Sequence, residues 1–195
     1  TRVVRLEDIY QLYAGGQMTI DGVNVPLARY DGSQWVAVLG AGNAPVVRSL
    51  LVHDGALYAG GEFTALDGGA CTNVARFDAT TWAPLPTNPQ YPAPPIGKLA
   101  VLSGRLVASH ATAGVIVQYL DSSWSPVSGG PLGAGTAIHV LDGWLYRVGY
   151  ADTGRWDGEA WETVPLRPFP DARELWSFRG ELIAGGPQGT YNEEE

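Results

Sequence analysis

The chain is poor in the features that mark many functional classes. It has a single cysteine, Cys71, so it cannot form an internal disulfide, and a small disulfide-stapled secreted fold is disfavoured. It has a single lysine, Lys98, and its 12 basic residues are outnumbered by 20 acidic ones, for a net charge of −8. Nucleic-acid binders draw most of their affinity from basic patches on phosphates. Here the arginines are scattered, so neither nucleic acid nor an anionic membrane is an expected partner. No apolar run approaches the ~20 residues of a membrane-crossing helix, and no membrane insertion is expected. No signal peptide is visible, and the sequence opens on Thr1, which fits a trimmed chain or a piece of a longer one. Gly-x-Ser-x-Gly, phosphate-loop and dinucleotide fingerprints are missing, as is any apolar stripe at helical spacing.

What the chain does have is 26 glycines, 14 prolines and 7 tryptophans in 195 residues, an all-β composition. It also repeats. Leu12-Tyr13-Ala14-Gly15-Gly16 returns as Leu57-Tyr58-Ala59-Gly60-Gly61, and Leu182-Ile183-Ala184-Gly185-Gly186 copies it near the end. Ala28-Arg29-Tyr30-Asp31 leading to Trp35 returns as Ala75-Arg76-Phe77-Asp78 leading to Trp82. Weaker copies lead from Tyr119 to Trp124 and from Trp156 to Trp161. Asp54-Gly55, Ser103-Gly104, Asp142-Gly143 and Arg179-Gly180 punctuate the repeats. A period of roughly 37–49 residues belongs to propeller blades, and the glycine and proline density argues against helical solenoids of similar period.

Each period predicts four short strands, A to D, with tight Asp-Gly-type turns between A and B and between C and D. Pro84 and Pro126 recur in strand D, and proline belongs on an edge, so D is outermost and A innermost. The tryptophan opening each D strand reads as core between blades, and the competing reading is a platform for sugars. The expected fold is therefore all-β, a β-propeller of about five blades of four-stranded antiparallel sheet. The blades fall at about 1–45, 46–95, 96–135, 136–173 and 174–195 of one domain. Two schemes fit the ends: Thr1–Leu6 closes the last blade as its outer strand, or the chain is an excerpt of a larger propeller.

The strings Leu-Tyr-Ala-Gly-Gly-x-Phe (57–63) and Ala-Arg-Tyr-Asp-Gly-x-x-Trp (28–35) resemble repeats of the galactose-oxidase and kelch-like propeller superfamily. The resemblance runs over nearly the whole chain. It is strongest in the first two blades and weakest in the third, where Leu120 replaces the Asp and His110 a Gly. It implies the architecture and leaves the activity open, because this fold hosts binding modules, lectins and enzymes. The copper site of galactose oxidase has no counterpart here.

Strand alternation puts the tight turns on one face of the disc and the long variable segments on the other. Loops on a rigid scaffold carry function, so the loop-rich face is the expected binding face. Its candidate ligand-binding residues are Gln17, Asp21, Asn24, Glu62, Phe63, Asp67 and His110. Asp21-Gly22 and Asp67-Gly68 also read as plain turn formers, and neither loop has calcium-site spacing. Pro84–Pro95 and Pro165–Pro170 read as stiff connectors or as a polyproline segment for a partner. His53, His110 and His139 fall in different blades, without a third ligand where two approach each other, and no metal, cofactor or catalytic residue is assigned. The leading expectation is a non-catalytic binding scaffold for protein or surface partners, as one module of an extracellular, cell-surface or virion-associated protein. The alternatives are a carbohydrate-binding lectin and a hydrolase or lyase with its site at the channel mouth.

Overall fold

The computed structural model describes residues 2–6 (backbone only), 11–38, 46–66, 69–78, 80–85, 93–128, 137–148, 153–164 and 172–186. Among these there is no helix, and every strand pairing is antiparallel. The first sheet runs β1 (Arg2–Leu6), β2 (Gln11–Ile20), β3 (Val23–Tyr30), β4 (Trp35–Ala37). The second holds β5 (Val46–His53), β6 (Ala56–Glu62), β9 (Val74–Phe77) and β10 (Trp82–Pro84). A small hairpin, β7 (Ala65–Leu66) and β8 (Gly69–Ala70), is inserted between β6 and β9. The third runs β11 (Ile96–Leu102), β12 (Arg105–His110), β13 (Ile116–Leu120), β14 (Ser123–Pro126). The fourth runs β15 (Ala137–Leu141), β16 (Trp144–Val148), β17 (Thr153–Trp156), β18 (Trp161–Thr163), and the fifth pairs β19 (Glu174–Phe178) with β20 (Glu181–Gly185).

The turns explain the register. Asp54-Gly55, Ser103-Gly104, Asp142-Gly143 and Arg179-Gly180 all hold two successive positive φ angles, from 46° to 80°. That is the two-residue hairpin turn whose twist matches the strands it joins, and it is why glycine stands second each time. The C–D turns of sheets one, two and four use an aspartate instead. The Oδ1 of Asp31 accepts from the amides of Ser33 and Gln34, and Asp78 and Asp157 repeat the pattern. In sheet three Leu120 takes the aspartate position, and the turn shortens to Asp121-Ser122 with both φ positive.

The core lies between sheets. Along each strand alternate residues face opposite ways, and successive sheets pack face to face. Tyr13 and Leu27 of sheet one pack on Val47, Leu50 and Leu57 of sheet two. Ala56, Tyr58 and Val74 of sheet two meet Leu99, Leu106 and Trp124 of sheet three. Sheets three and four join through Leu102, Val107, Leu145 and Trp156, and sheets four and five through Val148 and Leu175. Trp82, Trp124 and Trp161 of the D strands all belong to these seams, each against an aromatic of its own sheet (Phe77, Tyr119 and Trp156). The core reading holds fully for Trp124, which is buried; Trp82 and Trp161 are partly buried, and Trp35 of the first sheet is exposed, against that reading.

The sheets also fan about a common side. Successive A strands, β1, β5, β11, β15 and β19, touch one another. Lys98 of β11 forms an ion pair with Glu174 of β19, across sheet four. A flat stack would hold sheets three and five roughly 20 Å apart at ~10 Å per layer, too far for these side chains.

Two expectations need correction. Arg2–Leu6 pairs with β2 as the inner strand of the first sheet, and not as the outer strand of the last. Its Val3-Val4 step, set against Ala14 and Tyr13, occupies the register that Leu50 and Leu51 hold against Ala59 and Tyr58. The two long B–C segments are also more ordered than loops. Gln17–Val25 is a hairpin extension with a bulge between Gly15 and Met18, turned by Asp21-Gly22. The bulge lies opposite Pro26, which has no N–H to give the ladder. Within 62–72, Phe63, Leu66 and Cys71 enter the core between sheets one and two.

Candidate functional site

Local structure employs most of the sequence-predicted binding residues. Gln17 sits in the β2 bulge and is exposed. Asp21 opens its hairpin turn with φ 49°, and Asn24 accepts through Oδ1 from the Thr19 hydroxyl at 3.1 Å. Glu62 pairs with Arg48 at 2.6 Å on the surface. Phe63 is only 5% exposed and is a core residue, so as a ligand contact it is corrected. The Nδ1 of His110 accepts from the amides of Thr112 and Ala113, both at 3.1 Å, which caps a turn and leaves the ring proton on Nε2. Asp67 lies outside the described residues. No hydrogen bond among the described residues joins any two of this set. Cys71 is buried, and burial pushes its thiol pKa up, away from a nucleophilic thiolate.

The structure opens a cleft elsewhere. A cavity of about 500 Å³ lies between sheets two and three, at the tight-turn end. Its floor continues the apolar seam, with Tyr58, Leu85 and Leu106. Tyr119 and Pro84 form walls, and the A–B turn at Gly104 and the C–D turn at Asp121 form the lip. Three basic side chains face it: Arg76 from β9, Arg105 from β12 and His53 from the end of β5. The Nε2 of His53 is 3.3 Å from Asp54 Oδ2. Among the described residues neither Arg76 nor Arg105 makes an ion pair.

The repeat explains why Arg76 is available. Its counterpart in sheet four is Arg155, which donates through Nε and Nη2 to Glu162 at 2.9 and 2.7 Å and lies 4.1 Å over the Trp144 ring. Those contacts hold the Arg155 pKa above its ordinary value, Glu162 contributing most and Tyr146 next. Glu162 faces Arg155 in the β17–β18 register, and the residue facing Arg76 in the β9–β10 register is Ala83. The platform is missing too, because Ala56 fills the position of Trp144, directly after the turn glycine. Sequence reading passed over Arg76 because it follows a strong repeat motif. Glu162 is the exception among these hairpins, since Val36 faces Arg29 in sheet one as Ala83 faces Arg76 in sheet two.

No protein-family model matches the chain, and no curated protein matches it in sequence. Among solved structures it is similar to YCF48 bound to D1 peptide, at a TM-score of 0.58 and 14% sequence identity. The match covers 89% of this chain and 56% of that one, so the chain corresponds to little more than half of that structure. At this identity the likeness concerns the fold, and with the antiparallel sheets it identifies the architecture as a propeller-type, all-β repeat.

Proposed function

We propose that the chain is a non-catalytic protein-binding propeller of about five blades, taking an extended segment of its partner in the cleft between sheets two and three. The observation that carries this is the cleft itself: an apolar floor with a few polar groups converging on it, held between two rigid sheets. The solved propeller with a bound peptide supports a protein ligand for this fold. The repeat strings support placing the blades with galactose-oxidase and kelch-like repeats, with boundaries near 46, 96, 136 and 174. The test is selection of displayed peptides on the folded chain, followed by calorimetry with Pro84→Trp, which fills the cleft from its exposed rim. Binding that falls at least tenfold supports the cleft. Failure to select any peptide, with turnover of a small substrate instead, rejects the scaffold reading.

A second reading keeps the loop-rich face as an additional contact surface. The β2–β3 hairpin favours it, with Val23 43% exposed beside Gln17, Asp21 and Asn24. Substituting those three polar residues together leaves cleft binding unchanged and removes only contacts made by that face.

A further inference from the structure

The structure assigns the cleft between sheets two and three a ligand class: a peptide segment whose carboxylate is held between Arg76 and Arg105. This rests on the cleft being the binding site and goes further by naming the chemistry it selects. The chain carries net charge −8, yet Arg76 and Arg105 both face this cavity against one lining carboxylate, Asp121, while His53 lies beside Asp54 at 3.3 Å. A local excess of positive charge on an acidic protein steers and selects an anionic ligand. Neither arginine has an ion pair among the described residues, and Arg76 only adds a minor electrostatic pull on Asp78. Where the repeat neutralises this arginine, in sheet four, it does so with an acidic residue directly across the hairpin. In sheet two that place belongs to Ala83, so an incoming carboxylate can take the role Glu162 plays for Arg155.

The rest of the lining argues for a peptide over a bare anion. Tyr58 and Leu106 lie low in the cleft, and Pro84 and Tyr119 wall it, which suits an apolar side chain next to the acidic one. Guanidinium groups bind planar carboxylates through paired N–H donors, which gives direction as well as charge. The carboxylate has two sources, an Asp or Glu side chain or a peptide C-terminus.

The experiment uses synthetic peptides carried forward from display on the whole chain. Each is made in four forms: as selected, with Asp and Glu changed to Asn and Gln, with an amidated C-terminus, and with both changes. Binding is read by calorimetry against the wild type and against Arg76→Gln, Arg105→Gln and the double variant. Both arginines are exposed, so the variants should fold, and circular dichroism and thermal melting check this. The expected result is enrichment of acidic residues or free C-termini beside an apolar residue. Affinity should fall about tenfold or more on removing either the carboxylate or both arginines, and should weaken as salt rises. Amidation alone abolishing binding identifies the C-terminus as the source, and loss with Asn and Gln alone identifies the side chain. Neutral peptides that bind, indifferent to the arginines but blocked by Pro84→Trp, overturn the carboxylate and leave the scaffold standing. Binding of an acidic oligosaccharide such as oligogalacturonate through the arginines, with no peptide binding, overturns the peptide. No ligand of either kind overturns both.

Discussion

The seam between sheets two and three and the seam between sheets four and five are built from equivalent repeat positions with different residues. In sheet two Gly60 lets Ile96 and Leu99 of the next sheet come so close that an added Cβ would sit 2.8–3.0 Å from them. In sheet four the same position is Val148, whose side chain itself packs the seam toward Leu175. Further along the same faces, Arg155 is tied to Glu162 and stacked on Trp144, and Arg76 has Ala83 and Ala56 in those places. One seam spends its side chains on closing itself. The other is tight at its base and unspent at its rim, and that is where the cleft lies. Within one repeat design, then, equivalent positions are filled so that one arginine is held inside the chain and the other is left at a cleft.

The largest effect expected from this contrast is at the base. Trp124 is 2% exposed and packs in the seam beneath the cleft, so Trp124→Ala should cost about 3–5 kcal/mol. Trp35 holds the equivalent D-strand position in the first sheet but is 37% exposed, so Trp35→Ala should cost less than half as much. Urea denaturation of the two variants measures the difference. Equal losses would mean that the first sheet's outer face is covered to the same degree as the inner seams.

Next is the exchange of the two seam residues. Gly60→Val drives methyl groups into Ile96 and Leu99 and should cost about 1–3 kcal/mol through overpacking. Val148→Gly empties a packed position and should cost about 2 kcal/mol. If Gly60→Val were neutral, the close approach of sheets two and three would not be holding the base of the cleft.

These positions also show what the sequence could and could not reveal. The double-glycine motif made the repeat legible, and the X-Gly pairs fixed the A–B turns because only that chemistry suits two positive φ angles in succession. The fate of 62–72 was not legible. Its Asp-Gly pair reads as a loop, and only the partner sheet reveals that Phe63, Leu66 and Cys71 are buried. The place of β1 was hidden because no X-Gly turn marker stands between it and the first double-glycine motif. The cleft was hidden for another reason. The repeat shows what recurs, whereas the surroundings of Arg76 depend on Ala83, Ala56 and the facing sheet, which no motif marks.

The C–D turns give a smaller contrast. Thr80 and the amides around it hold the Asp78 carboxyl well below the usual range, and backbone amides do the same for Asp31 and Asp157. Carboxyls depressed in the folded state contribute stability at pH values above their unfolded pKa of about 4 and lose it as the pH falls toward the folded value. Sheet three, with its Asp121-Ser122 turn, has no such anchor at the position of Leu120. Asp78→Asn should lower the melting temperature most between pH 5 and 8, and the gap to wild type should close as the pH falls below about 4. Leu120→Ala, at the equivalent position in sheet three, should shift the melting temperature by the same amount across that pH range, because no carboxylate stands there. An equal acid response in both would remove the distinction between the two turn types.

The smallest effect on folding, and the sharpest on the comparison, belongs to Ala83→Glu. It places an acid opposite Arg76 in the register that Glu162 occupies opposite Arg155. Both side chains would be solvent-exposed, so a double-mutant cycle of Ala83→Glu with Arg76→Gln should return a coupling of about 0.3–1 kcal/mol, shrinking in high salt. Total stability should hardly move. The change nonetheless converts the open seam to the closed type, because the guanidinium then has its carboxylate within the chain. If the two repeats differ only in who supplies that carboxylate, this one substitution should silence the cleft toward acidic peptides while the fold melts as before. A chain that still bound them at full strength would show that Arg76 does not do for a ligand what Arg155 does for Glu162.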